Sequence, residues 1–264
     1  MSTKREFNAV GVIAAREIVR FFKDWKSSLV FSFMFPVLFL GILGGSIAQN
    51  LSSGLGYNYL QFALIGMVAN TLVMNTMMSV TSLVEDREND FTQEIFVAPV
   101  SRYSIILGKI VGGTLTSILQ LFAFVIVALV MGISVGLPTI GWILLLAPII
   151  CISGGALGAL IASIFSNSPK TADRGVIMIA FAQMFLSGAI IPINNSTGVL
   201  SVLAHAMPMT YLIDLLRSVI YQGTPYYSHI VLYSPPFDLI IIAIMSVAFF
   251  IVGTTLFVRS ERNR

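Results

Sequence analysis

The sequence predicts an all-α integral membrane protein with six transmembrane helices, an N-terminal amphipathic interfacial helix and an outer, re-entrant-like helical hairpin before the sixth span. Its 264 residues are 56% hydrophobic and only 10% charged, with a mean hydropathy of +0.91. Soluble domains average about 25% charged residues. The apolar residues also fall into runs of the length that crosses a bilayer, which is roughly 20 residues. These observations exclude a water-soluble domain.

The six predicted spans follow one another without an internal repeat or a linker to a second domain. The second has 26 residues, and at about 1.5 Å per residue it is long enough to emerge from the bilayer. We therefore treat residues 1–264 as a single transmembrane domain. The predicted spans are residues 29–48, 59–84, 110–131, 142–165, 175–191 and 239–258.

Residues 1–26 have the pattern of an amphipathic helix. Apolar residues recur at steps of three and four and so share one face, whereas Arg16, Arg20 and Lys23 line the other. Such a helix lies in the membrane interface, with its cations near anionic head groups. The predicted apolar face consists of Phe7, Val10, Ala14, Ile18, Phe21, Phe22 and Trp25.

The basic residues predict the orientation of the chain. Fourteen of the fifteen lysines and arginines fall in the N-terminal tail, the connections after the second and fourth spans, and the C-terminal tail. Arg217 alone lies on the other side. Because cytoplasmic loops are enriched in Lys and Arg, both termini and residues 85–109 are expected in the cytoplasm.

The connection at residues 85–109 is the most charge-rich interruption between two spans. It holds five of the twelve acidic residues. Asp90 and Gln93 form a capping-box pattern for a short helix at residues 91–98, and Pro99 ends that helix. The pattern fits a docking surface at the membrane face and a solvated connector equally well.

A few polar side chains lie within the predicted spans. They either hydrogen-bond between helices, at roughly 0.6 kcal/mol each, or line a path for a polar part of a substrate. Gly154, Gly158 and Ala162 form a small-residue face for close helix packing. No ionisable residue lies in the middle of a span, which argues against an ion-coupled carrier. The candidate path residues are Asn70, Thr71, Asn75, Ser79, Gln120 and Gln183.

Residues 194–238 form a long outer segment with two short helical patterns. Pro192, Pro208 and Gly223 interrupt it. Asp214 and Arg217 are three residues apart and can pair on one helix. The segment is either a hairpin that dips into the outer leaflet or a cap that lies on its surface.

Enzymatic motifs do not occur in the sequence. The only Gly-Lys pair, Gly108-Lys109, lacks the Ser or Thr and the first Gly of a phosphate-binding loop. No nucleophile stands with a base at motif spacing, so the chain itself is not expected to be an enzyme. The single cysteine, Cys151, lies in an apolar run and is expected to be a small buried side chain. An ion-coupled secondary transporter and a membrane-embedded enzyme remain alternative functions for this chain.

Two segments resemble the permeases of type-2 ABC exporters. The first is EIFVAPVSR at 94–102, followed by Gly108-Lys109. The second is LSG at 186–188 with Ile191-Pro192, and then MPMTYLIDLLR at 207–217. With the amphipathic N-terminus and the six-span layout, the resemblance covers essentially the whole chain.

The resemblance implies the partners and the roles of particular residues. Two such permeases pair, as a homodimer or a related heterodimer, and bind two cytoplasmic ATPase subunits. ATP and Mg are then bound by the ATPase and not by this chain, and no nucleic acid is involved. The expected place is a bacterial or archaeal plasma membrane, and the expected cargo is an amphipathic drug, a lipid or a lipid-linked glycan. The implied coupling residues are Asp86, Arg87, Glu88, Phe91, Glu94 and Ile95, and the implied exit hairpin contains Pro192, Pro208, Tyr211, Asp214 and Arg217.

Overall fold

The computed structural model describes residues 3–47, 57–88, 101–130, 132, 136–166, 168–194 and 196–262, and every regular element in these ranges is a helix. Prolines begin several of them: Pro169 and Pro208 stand at the first position of their helices, where the missing N–H costs no hydrogen bond. The helices are α1 Thr3–Lys23, α2 Trp25–Leu38 with a π-helical segment Phe39–Gly44, α3 Tyr59–Glu88, α4 Arg102–Val130, α5 Leu137–Ile164, α6 Pro169–Leu186, α7 Val199–Ala206, α8 Pro208–Ile220, α9 Tyr227–Ile230 and α10 Pro235–Arg262.

Four stretches in the described part are long and apolar enough to cross a membrane. A fifth is added if α7 and α8, which meet at 78°, form one bent span. The count of six is therefore not confirmed. The predicted first span is divided between α2 and the π-helical segment, which follows Pro36. The predicted fifth span corresponds to α6, which has 18 residues and carries three charged residues in its first turns. The four stretches are Tyr59–Arg87, Arg102–Val130, Leu137–Ile164 and Tyr227–Arg259.

Helix α3 lies at the centre of the bundle and packs on α4, α5 and α6, while α10 packs on the outer side of α5. The contact between α3 and α5 is close because it uses glycines. A Cβ at Gly154 would lie 2.8 Å from Val73 Cα, and one at Gly158 would lie 2.9 Å from Met77 Cα. The predicted small-residue face of the fourth span is thereby confirmed at these two positions.

Helix α1 packs against α4. Its predicted single apolar face is divided in the structure, since Ala14 is buried while Phe7, Phe22 and Trp25 are 81%, 59% and 48% exposed. The cationic face also differs from the prediction. Arg16 and Arg20 bind acidic side chains of α3, partners that the pattern of α1 alone did not predict. A protein contact therefore replaces part of the predicted lipid contact of α1.

Glycines of α4 allow α1 to approach closely. A Cβ at Gly112 would lie 2.6 Å from Glu17 Cβ and 3.1 Å from Ala14 Cα. Gly108, one turn earlier, would meet Ile13 Cβ at 2.8 Å. Because only hydrogen fits at these positions, the two backbones are in near contact, and this brings Glu17 against the inner face of α4.

Candidate functional site

Two cavities flank the polar residues of α3. The first, called here the apolar cavity, has a volume of about 280 Å³ and lies between α2, α3 and α6. Asn70, Thr71 and Asn75 form its polar wall. The rest is apolar and rich in methionine, a flexible side chain that adapts to different apolar shapes. These apolar lining residues include Met34, Met67, Met74, Ile177, Phe181 and Met184.

The second, called here the charged cavity, has a volume of about 500 Å³ and is lined by residues of α1, α2, α3, α4 and α6. Its wall contains four carboxylates and one arginine, together with serines of α3. Asn75 lines both cavities, so the two spaces meet at this side chain. The charged lining residues are Glu17, Arg20, Asp24, Glu85 and Asp173.

The structure brings five of the six candidate path residues to the walls of these cavities. Asn75 Nδ2 donates to Gln120 Oε1 across the α3–α4 contact, and Asn70 Nδ2 donates to the carbonyl of Ala180, at 3.1 Å. The same side chains thus join helices and line the cavities, so the two predicted roles are compatible. Gln183 differs from the others: it is 1% exposed and is not among the described residues that line either cavity.

Next to the charged cavity, three helices meet at a buried ion cluster, which consists of Glu17, Asp86 and Lys109 with Arg16 at its edge. Lys109 is 1% exposed. Its Nζ lies 2.6 Å from Glu17 Oε1 and 2.7 Å from Asp86 Oδ2, and it donates to Ser82 Oγ at 2.7 Å. Three acceptors around one ammonium satisfy its three donors.

Asp86 in turn binds Arg16 through two hydrogen bonds, at 3.0 and 2.7 Å. This bidentate geometry is the strong form of a carboxylate–guanidinium contact. At the rim, Arg20 binds Glu85. Lys109 was recognised in the sequence only as a basic residue within the resembling Gly108-Lys109 pair, and Glu17 was not singled out. The available signal was that Glu17 interrupts the apolar face of α1 between Ala14 and Phe21.

Asp86, which was expected to lie at the docking surface, belongs to the buried ion cluster. At 4% exposed it lies inside the protein, where it binds Arg16 and Lys109 near the end of α3. Arg87 is half-buried, and its Nη1 has no partner among the described residues. The other implied coupling positions, the side chain of Glu88 and residues Phe91, Glu94 and Ile95, lie outside the described part.

Helix α1 also contacts the other end of that connection. The backbone N–H of Ser101 donates to Glu6 Oε2 at 3.1 Å. Hydrogen bonds from the Ser104 side chain and the Ser101 backbone hold the pKa of Glu6 below its ordinary value. Asp86, near the end of α3, and Ser101, just before the start of α4, therefore both contact the same helix, α1.

A second charged group occupies the opposite end of the bundle. Arg217 of α8 is 5% exposed, and its guanidinium donates to three backbone carbonyls: Gly188 at 3.0 Å, Ala189 at 3.1 Å and Phe62 at 3.1 Å. It also lies over the Phe62 ring, 3.4 Å from the centroid. Gly188 has a φ of +84°, a conformation that favours glycine. Arg217 thus joins α8, the turn after α6 and the start of α3.

Asp214 has other partners. Its Oδ1 accepts from the N–H of Leu232 at 2.8 Å, and its Oδ2 accepts from the N–H of Tyr233 at 2.7 Å. Asp214 and Arg217 therefore bind separate backbone groups, which corrects the direct pairing that their spacing predicts. The reason is that backbone N–H and C=O groups next to a chain break lack helical hydrogen-bond partners. Where water is excluded, they need side-chain partners instead. Tyr211 acts similarly, donating from its hydroxyl to the His205 carbonyl at 2.8 Å.

The two remaining hairpin positions are prolines at chain breaks. Pro192 follows the turn after α6, and Pro208 separates α7 from α8 where the two helices bend by 78°. Proline has no backbone N–H, so Pro208 begins α8, and Pro192 stands in the irregular segment after α6, without leaving an unpaired N–H. The two short helical patterns of the predicted hairpin are observed as α7 and α8, which bend by 78° at Pro208.

The chain matches the family described as ABC-2 type transporter over residues 8–221. It is 23% identical over 211 residues to the inner membrane transport permease YadH of Escherichia coli, covering 79% of this chain and 81% of that protein. It is 25% identical over 196 residues to the putative transport permease ycf38 of Cyanophora paradoxa, covering 72% and 67%. Nodulation protein J of Rhizobium meliloti is 23% identical over 211 residues, covering 76% and 78%.

Proposed function

The chain belongs to the ABC-2 type transporter family and is a transport permease, the membrane subunit of an ABC transporter; on this premise we propose that it exports an amphipathic drug, lipid or lipid-linked glycan. A separate cytoplasmic ATPase binds ATP and Mg and supplies the energy. A second permease subunit, identical or related, completes the path. Both termini lie in the cytoplasm of a bacterial or archaeal cell, and the chain lies in its plasma membrane.

The observation that carries this proposal is the junction at Asn75. Here a cavity with an apolar, methionine-rich wall meets a cavity with a charged wall. A molecule with one apolar part and one polar part finds a matching surface on each side of this junction. A purely polar substrate would lose its hydration against the methionine and phenylalanine side chains of the apolar cavity, and it would gain no hydrogen bonds from them.

The two charged groups support an orientation across the membrane. Phe62, which contacts Arg217, and Asp86 of the buried ion cluster are both on α3, 24 residues apart in sequence. At about 1.5 Å per residue this separation is roughly 36 Å, slightly more than the roughly 30 Å hydrocarbon core. One group therefore belongs at each membrane face, and the basic residues favour Asp86 at the cytoplasmic one.

The test is to purify the tagged chain from its native membrane in mild detergent. We expect an ATPase subunit to co-purify and the complex to hydrolyse ATP in a vanadate-sensitive way. A folded, monodisperse permease that never carries an ATPase subunit contradicts the proposal.

Substitution of Phe91 gives the most specific test in this experiment, because Phe91 is expected to anchor the coupling helix in a groove of the ATPase. Burying an aromatic side chain contributes roughly 1.5–3 kcal/mol, so Phe91→Ala should weaken assembly by about tenfold or more. Phe122→Ala is the matched control, since Phe122 is 53% exposed in the middle of α4. Equal recovery of the ATPase with both variants would refute the docking role of Phe91.

A further inference from the structure

We infer that Lys109 is a positioning residue. Through Lys109, the buried ion cluster couples a displacement of the connection at residues 89–100, called here the coupling connection, to the wall of the translocation path at Asn75. The inference rests on the proposed function. It assigns a role to Lys109, which the sequence places in a resembling segment but to which neither the motif nor its spacing gives a function.

On one side, the buried ion cluster is joined to the coupling connection. Asp86 lies two residues before the end of α3, at Glu88, and it contacts both Lys109 and Arg16. At the other end of residues 89–100, Ser101 is bound to Glu6 of the same helix α1. A displacement of this connection therefore moves α1 and the end of α3, which are the two elements that provide the carboxylates around Lys109.

On the other side, the buried ion cluster is joined to the path. Ser82 accepts from Lys109 Nζ, and Ser79 lies one turn further along α3. Ser79 Oγ is 3.1 Å from Glu17 Oε2 and 3.0 Å from the Lys109 carbonyl oxygen, and both are acceptors for its proton. Asn75, one turn beyond Ser79, stands where the two cavities meet. Consecutive turns of α3 thus lead from Lys109 to the cavity wall.

Although Glu17, Ser79 and Ser82 also line the charged cavity, helices α1, α3 and α4 approach one another closely around the cluster. A Cβ at Gly112 would meet Glu17 Cβ at 2.6 Å, and one at Gly113 would meet Ser79 Cβ at 2.8 Å. Helices α1, α3 and α4 are therefore in near contact around Lys109. Close-packed interiors transmit strain and do not deform locally, so a shift of Glu17 or Asp86 displaces Lys109 and, with it, α4.

Stability alone is a weak explanation for such a cluster. A buried ion pair is often replaced by apolar residues of similar volume without loss of stability, because desolvation offsets the attraction of the charges. The removal of only one partner is costly, since it leaves an uncompensated buried charge. These two facts separate a positioning role from a purely structural one by experiment.

The experiment compares the wild-type complex with the double variant Glu17→Met and Lys109→Met, in which Asp86 keeps its two bonds to Arg16. Thr71→Cys in a Cys151→Ser background reports on the apolar cavity through its rate of labelling by maleimide. In the wild-type complex we expect ATP and vanadate to change that rate. In the double variant we expect a normal melting temperature, normal ATPase recovery and vanadate-sensitive hydrolysis, but no difference in labelling between the resting and trapped states.

The control is Lys23→Met, which removes an exposed lysine of α1 that is not among the described residues lining either cavity. It should retain the labelling response. A double Met variant with the full wild-type response overturns the inference and leaves the proposed function intact. Loss of ATPase binding or of stability in that variant also overturns it, because the cluster would then only maintain the fold. If the wild-type complex contains no ATPase, the proposed function itself fails.

Discussion

At the residue scale, Arg217 shows how a cation is accommodated where water is scarce. Its planar fork donates to carbonyls from α3 and from the turn after α6, and its face lies on the Phe62 ring. Neither contact depends on a carboxylate. The guanidinium donates to carbonyls that the break after α6 leaves without helical partners. The arginine and the chain break therefore stabilise each other.

A charge swap tests this assignment. Asp214→Arg combined with Arg217→Asp should be no more stable than the worse single variant, because neither new side chain can serve the backbone partners of the old one. Each carbonyl left unpaired costs about 1–3 kcal/mol. Melting temperatures of the two single variants and the swap, measured in detergent, decide the matter. Recovery of stability in the swap would restore the direct pair that the i, i+3 spacing predicts.

Arg217→Lys is the milder companion variant. An ammonium has three donors on one atom and cannot reproduce the fork or the stacking on Phe62. We expect it to lie between the wild type and Arg217→Ala in melting temperature. A lysine variant as stable as the wild type would mean that the carbonyl contacts contribute little.

At the element scale, α1 has two different sides, one packed against α4 and the other exposed. Its buried side carries Ala14 and Glu17 against α4, while Val12, Val19 and Phe22 are 70%, 55% and 59% exposed on another side. The exposed side is apolar enough to lie in the membrane interface. The helix therefore combines the predicted surface position with a protein contact that its hydrophobic pattern did not reveal.

The contact between α1 and α4 depends on Gly112. Gly112→Ala places a methyl group 3.1 Å from Ala14 Cα and closer still to Glu17 Cβ, and overpacking of this kind typically costs about 1–3 kcal/mol. We expect faster limited proteolysis within α1 and a lower melting temperature. Gly141→Ala is the matched control, because a Cβ at Gly141 meets nothing within 4 Å. Equal behaviour of the two variants would show that α1 does not need this close approach.

At the scale of the whole molecule, the bundle is built around α3, which connects one charged group at each end. The long spans could be predicted from sequence, because α3, α4, α5 and α10 are long, largely apolar runs with few charged residues. The partners of the buried charges could not. Arg16 and Asp86 are 70 residues apart, and Glu17 and Lys109 are 92 apart, so no local period relates them.

Other differences have equally specific causes. The predicted pair of Asp214 and Arg217 was a local inference, and it missed the backbone groups that compete for both side chains. The polar residues of α3 were recognised by their spacing, whereas the cavities beside them arise from the placement of α2, α4 and α6. Hydropathy encodes which residues avoid water, but it does not encode which helix they meet.

The orientation of the molecule is testable with single cysteines in a Cys151→Ser background. Ser168→Cys follows α5 and Gln222→Cys follows α8, and these connections are expected on opposite sides of the membrane. An impermeant thiol reagent applied to intact cells should label Gln222→Cys only, and Ser168→Cys should react after the cells are opened. Labelling of Ser168→Cys in sealed cells would reverse the predicted orientation.

The bond between Glu17 and Lys109 also has a consequence for biosynthesis. Because 92 residues separate them, Glu17 leaves the ribosome roughly 5–20 s before Lys109 at ordinary elongation rates. During that interval α1 exists without the helices that later surround its carboxylate. The exposed apolar side of α1 gives the nascent helix a place on the membrane surface while it waits. Docking of Glu17 against Lys109 then follows the insertion of α4, so α1 reaches this partner well after its own synthesis.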